Sequence, residues 1–155
     1  MHPHLRYPSL LLLFGLFALL AGSPLFAGGW SGRVSGVLSG VEIQVTATGQ
    51  QPQRIRLAGI RPISGQRHLL ESARRHLATL LGGRHVEVLP QAAPQRGVII
   101  GRVLHGGSDT ATAMLKAGLV EIIPGAAIEP EVLKHYRAAQ EQARSRNMGY
   151  WQTRR

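Results

Sequence analysis

The stretch Arg54-Ile55-Arg56-Leu57-Ala58-Gly59-Ile60-Arg61-Pro62-Ile63-Ser64, with the run from Gln66 to Leu81 and the segment His85-Val86-Glu87-Val88-Leu89, decides the fold. Arg54 to Leu57 alternates polar and apolar side chains, the period of a half-buried strand. From Gln66 the period lengthens. Leu69, Leu70, Ala73, Leu77, Leu80 and Leu81 form one helical stripe, Glu71 and Arg75 make an i,i+4 pair, and Gly82-Gly83 ends the helix. His85 to Leu89 returns to the strand period.

On the N-terminal side, Val37, Val41, Ile43 and Val45 keep a strand alternation with Glu42 and Gln44 turned the other way, and Thr48 to Pro52 is a turn. This reads as a hairpin leading into a third strand at Arg54. On the C-terminal side, the loop from Pro90 to Gly97 leads to a strand over Val98 to Leu104. Asp109 is placed to cap a short helix from Thr110 to Ala117, with Gly118 at its end. Leu119 to Ile123 is a last short strand, and Pro130 to Arg146 a final helix that stops before Gly149. The order predicts an α+β, mainly β fold: a five-stranded OB-type barrel with three packed helices, after an N-terminal signal or anchor segment.

At 155 residues the chain fits one domain behind that segment. A body of roughly 125 residues buries about two-thirds of its surface on folding, so no second core is required. The apolar run from Leu10 to Ala21, behind Arg6 and ahead of a Gly- and Pro-rich stretch, has the length and polarity of a signal-peptide core. Residues 1–27 are therefore expected to be a signal peptide or membrane anchor, with cleavage after Ala27 favoured, and residues 28–155 the domain. Export, to the periplasm or beyond the cell, follows from either.

Eighteen Lys and Arg against eight Asp and Glu give a formal charge of +10, which favours an anionic partner. Lys116 and Lys134 are the two lysines; the other cations are arginines. With no cysteine, disulfides and thiolate metal sites are excluded. Asp109 is the single aspartate, a poor inventory for a metal site built from carboxylates. His68 and His76 share a helix but stand eight apart, so they are not a paired metal site. From Ser31 to Ile128 there is no Phe, Trp or Tyr. Any nucleic acid held by the barrel would thus be held through its phosphates rather than by aromatic stacking.

The Arg56-Leu57-Ala58-Gly59-Ile60 block and the helix and strand that follow it resemble the staphylococcal nuclease (thermonuclease) family. So do Gly101-Arg102-Val103-Leu104, the run Leu115-Lys116-Ala117-Gly118-Leu119-Val120, and Ala143-Arg144 with Gly149-Tyr150-Trp151. The resemblance covers about Ser31 to Trp151. It implies a barrel of the kind described, calcium-dependent phosphodiester hydrolysis and a nucleic-acid substrate. The family's functional positions, however, carry other residues here. Its Asp-Gly-Asp-Thr motif falls on Ser39-Gly40-Val41-Glu42, which puts Val41 in place of a metal-binding aspartate. The second metal aspartate falls on Arg61, the general-base glutamate on Ser64, the second transition-state arginine on Val98 and a tyrosine on Arg96. Arg56 is the one retained member of the charged catalytic group. Glu42 is expected to turn away from the side that Val41 occupies, because strand side chains alternate.

A general base contributes about 10²–10⁴-fold to rate and one electrostatic donor about 10²–10³-fold, so losing metal, base and an arginine together removes nearly all useful turnover. The expectation is an exported thermonuclease-like domain without metal or cofactor, its calcium site lost, acting as a basic binding or scaffold module. Arg54, Arg56, Arg61 and Arg96 are its candidate contacts to nucleic-acid phosphates, an anionic lipid surface or an acidic protein, with Arg56 also the one candidate catalytic residue. The alternative is a divergent nuclease or phosphodiesterase with a site rebuilt around Arg56, for which a nearby carboxylate such as Glu42 would be needed. Oligomeric state is not legible.

Overall fold

The computed structural model describes residues 28–153, so the expected signal or anchor over 1–27 lies outside the described residues. Five strands close into a ring: β1 (Trp30–Val37), β2 (Glu42–Thr46), β3 (Gln53–Leu57), β5 (His85–Pro90) and β6 (Val98–His105). Antiparallel ladders join β3 to β2, β2 to β1, β1 to β5 and β5 to β6, and a parallel ladder between β3 and β6 completes the circuit. A closed ring leaves no long strand edge to pair with another chain. Outside it, β4 (Ile60–Pro62) pairs with β8 (Val120–Ile122), and β7 (Ser108–Asp109) extends β6. The helices are α1 (Arg67–Leu81), α2 (Thr110–Lys116) and α3 (Pro130–Ser145), followed by a 3-10 turn from Gly149 to Thr153. Barrel and three helices match the expected architecture.

The inward residues of the ring, among them Val34, Ile43, Val45, Ile55, Leu57, Val86, Val88 and Val103, form one core with side chains from all three helices. The α1 helix contributes Leu69, Ala73, Leu77 and Leu81, a strict four-residue spacing down one face. Leu70 was expected on that stripe but stands exposed, because it lies a hundred degrees round the helix from Leu69 and the buried stripe is narrow.

The alternation from Val37 to Val45 is not one strand. The chain turns between β1 and β2, where the Leu38 and Ser39 amides both donate to the Glu42 carbonyl, at 2.9 and 3.1 Å. β1 begins earlier, at Trp30, with an irregularity between Val34 and Gly36. Gly40 sits in this turn against α1, where a Cβ would land on the Ala73 methyl group. The glycine of the Ser39-Gly40-Val41 block is therefore required by helix packing, whatever its neighbours do.

Asp109 caps α2, accepting from the Ala111 amide at 2.9 Å, and Pro130 opens α3. Tyr136 on α3 is fully buried. The chain end is fastened by the Tyr150 amide, which donates to the Gly118 carbonyl at 2.9 Å, and by the Arg144 guanidinium, 4.4 Å from the Trp151 ring centre. Gly118 has φ of 67°, and a Cβ there would strike the Met148 carbonyl. The late aromatics thus act as packing anchors. No helix among the described residues is long and apolar enough to cross a membrane.

Candidate functional site

In the β2–β3 hairpin Glu42 stands opposite Arg56, and Gln44 opposite Arg54. Alternation sends Val41, Ile43 and Val45 into the core. The same alternation puts Glu42, Gln44, Arg54 and Arg56 together on the outer wall. Arg54 Nε donates to Glu42 Oε1 at 2.9 Å, a terminal nitrogen of Arg54 reaches the same oxygen, and Arg56 donates to Oε2 at 3.3 Å. Both arginine side chains remain about half exposed, 52% and 51%, while Glu42 beneath them is 7% exposed.

Burial alone would raise the Glu42 carboxyl, but hydrogen bonds and charge from Arg54 and Arg56 outweigh it and hold the group below its ordinary value. At neutral pH the trio therefore carries two positive charges and one negative. Each guanidinium has five N–H donors in a planar fork, and Glu42 occupies only part of them. The arrangement presents two oriented guanidinium groups, side by side, to an anion in solution.

The other sequence-derived positions separate. In the parallel ladder Val98 partners Arg54 and Ile100 partners Arg56. Arg96 lies in the turn just before this ladder, exposed, with φ of 50° and a bridge between Gln95 and Val98 around it. It adjoins the Arg54 end of the site. Arg61 is elsewhere: it belongs to the small β4–β8 sheet, opposite Glu121, and its Nε donates to Glu121 Oε1 at 2.9 Å. Ser64 is exposed in the loop before α1. His68 is exposed and His76 half-buried, and burial lowers the pKa of His76. Among the described residues no three His, Asp or Glu side chains come together as metal ligands would.

Glu42 turns away from Val41, as strand alternation predicts, and this puts it on the face of Arg56. Val41 is on the inside at 6% exposure; Arg56 is on the outside. The signal that would have found the pair is the hairpin register, which brings Glu42 and Arg56 level across the turn.

The family of staphylococcal nuclease homologues matches the chain over residues 54–153. The chain belongs to the staphylococcal nuclease family. No curated protein matches it. In this nuclease-family domain the matched region runs from the arginine pair of β3 through the last helix, so it includes Arg54, Arg56, Arg61 and Arg96. Glu42, which completes the cluster, comes from the preceding strand.

Proposed function

We propose that this nuclease-family domain has lost metal-dependent phosphodiester hydrolysis and serves, after export, as a basic module that holds nucleic acid by its phosphates. The observation that carries the reading is the Arg54–Glu42–Arg56 cluster. Calcium takes six to eight oxygen ligands. At the positions the family uses for metal, this chain has Val41, buried and without a side-chain oxygen, and Arg61, ion-paired to Glu121. Glu42 is a lone carboxylate already shared between two guanidinium groups. This donor set does not fit calcium. It does fit a phosphodiester, because paired guanidinium forks match phosphate oxygens in both shape and charge. Export is supported by the apolar segment between Leu10 and Ala21.

A rebuilt hydrolase is the second reading, and the approach of Glu42 to Arg56 is what favours it. Glu42 would then have to act as general base. Its lowered pKa and its two arginine donors oppose that role, since a useful base at neutral pH has its pKa raised toward 7.

The binding reading is tested by fluorescence anisotropy of single-stranded DNA and RNA oligonucleotides against salt concentration. Binding that shows no base preference and weakens with salt is expected. For a single strand the log–log slope is about −0.7 per phosphate neutralised, so contacts from Arg54, Arg56 and Arg96 give roughly −2. Arg54→Glu with Arg56→Glu should flatten the slope by about 1.4 or more and abolish most of the affinity. Unchanged binding in that variant would exclude the site.

A further inference from the structure

A cleft of about 510 Å³ opens where α2, α3 and the β6–β7 hairpin meet, and no residue of the Glu42 cluster lines it. Its inner wall is a fixed polar network. Arg102 Nε donates to Asp109 Oδ2 at 2.8 Å, and the buried Tyr136 hydroxyl donates to the same carboxylate, 3.2 Å from either oxygen. The Ala111 amide completes the set on Asp109 Oδ1. A guanidinium, a phenol and an amide thus meet the single negative charge in the lining, and that side chain is only 11% exposed.

The remaining polar lining is one lysine, one histidine and two hydroxyls. Lys116 and His135 are exposed at the mouth, and Ser108 and Thr112 add two hydroxyls. Lys116 makes no ion pair among the described residues. His135 Nδ1 lies 2.7 Å from the Glu131 carbonyl oxygen, which can only accept, so Nδ1 carries a hydrogen and Nε2 is the edge left for a ligand, donating to a phosphate oxygen when the ring is in its imidazolium form. Val132 and Ala113 supply an apolar side. The volume lies in the range of small-molecule sites and well above the size of a bare phosphate ion.

We propose that this cleft binds a small phosphate monoester, its phosphate held between Lys116 and His135 and its organic body lying against Val132 and Ala113. The charges favour an anion once Asp109 is neutralised by Arg102, and the hydroxyls supply further donors of the kind phosphate oxygens accept. The cleft is separate from the Arg54–Arg56 pair, although β6 touches both places: Ile100 partners Arg56 and Arg102 lies two residues further on.

The test is a ¹H–¹⁵N NMR titration of the full-length chain with a nucleoside 5′-monophosphate and, separately, with inorganic phosphate. The expected result is saturable shifts at Ser108 to Ala113, Lys116 and His135, with the monophosphate at least fivefold tighter than inorganic phosphate. Lys116→Gln with His135→Gln should weaken the monophosphate at least tenfold, and Lys116→Arg should keep it. Both residues are exposed, so the fold is not at stake. Arg54→Gln with Arg56→Gln should leave these shifts unchanged. Shifts confined to β2 and β3, or full affinity in the Lys116–His135 variant, would overturn the site. Equal affinity for both probes would overturn the monoester assignment.

Discussion

Glu42 and Arg56 face each other directly across the β2–β3 hairpin, and Arg56 donates to Glu42 Oε2 at 3.3 Å while Arg54 holds Oε1. The relationship keeps two guanidinium groups in one orientation on the outer wall of the barrel. It also links the stability of the hairpin to the charge of one carboxyl.

That link sets a pH dependence. Arg54 and Arg56 depress the Glu42 pKa below its ordinary 4.5, so its ion pairs contribute stability above that value and lose it as pH falls through the folded-state pKa. Thermal melts between pH 6 and 3 should show a loss of stability below about pH 4.5 that is smaller in Glu42→Gln. At neutral pH the same substitution should lower stability by only about 1 kcal/mol, because the two half-exposed guanidinium groups are screened by water. An identical acid limb in the variant would show that other carboxylates carry the dependence.

The barrel was legible because each of its parts leaves a local mark: alternation at Arg54–Leu57 and His85–Leu89, the Leu69-Ala73-Leu77-Leu81 spacing, and Asp109 before Thr110. The Glu42–Arg56 pair left none. Its members are fourteen residues apart, and strand alternation names faces only relative to neighbours in the same strand; which faces coincide is decided by the register across the turn. The Arg102–Asp109–Tyr136 network was hidden for a similar reason. Asp109 was recognisable as a helix cap, but its second duty depends on α3 returning to place Tyr136 over it.

Gly40 offers a test of the packing between the β1–β2 turn and α1. A methyl group there would collide with Ala73 of α1, so Gly40→Ala should destabilise the domain by about 1–3 kcal/mol, the usual range for overpacking. Urea denaturation would read it as a lower midpoint. A neutral outcome would mean that the turn between β1 and β2 can move away from α1.

Tyr136 provides a spectroscopic test of the second network. Burial first, and then the Asp109 carboxylate, raise its phenol well above the ordinary 10.0, so its protonated form is favoured by folding and that stability is lost as pH rises past the ordinary value. Ultraviolet titration should find the Tyr136 phenol silent until the protein unfolds in alkali. Tyr136→Phe should remove that late step and lower stability by about 1 kcal/mol, since Arg102 and the Ala111 amide still hold Asp109.

A nuclease-family barrel that holds phosphate without cleaving it should leave denatured DNA and RNA intact in a hydrolysis assay. The purified chain should be assayed with calcium and with chelator, beside Arg56→Ala. No turnover above that of Arg56→Ala is expected in either condition. Turnover that chelator abolishes and Arg56→Ala lacks would contradict this, and would assign a working metal site to this barrel.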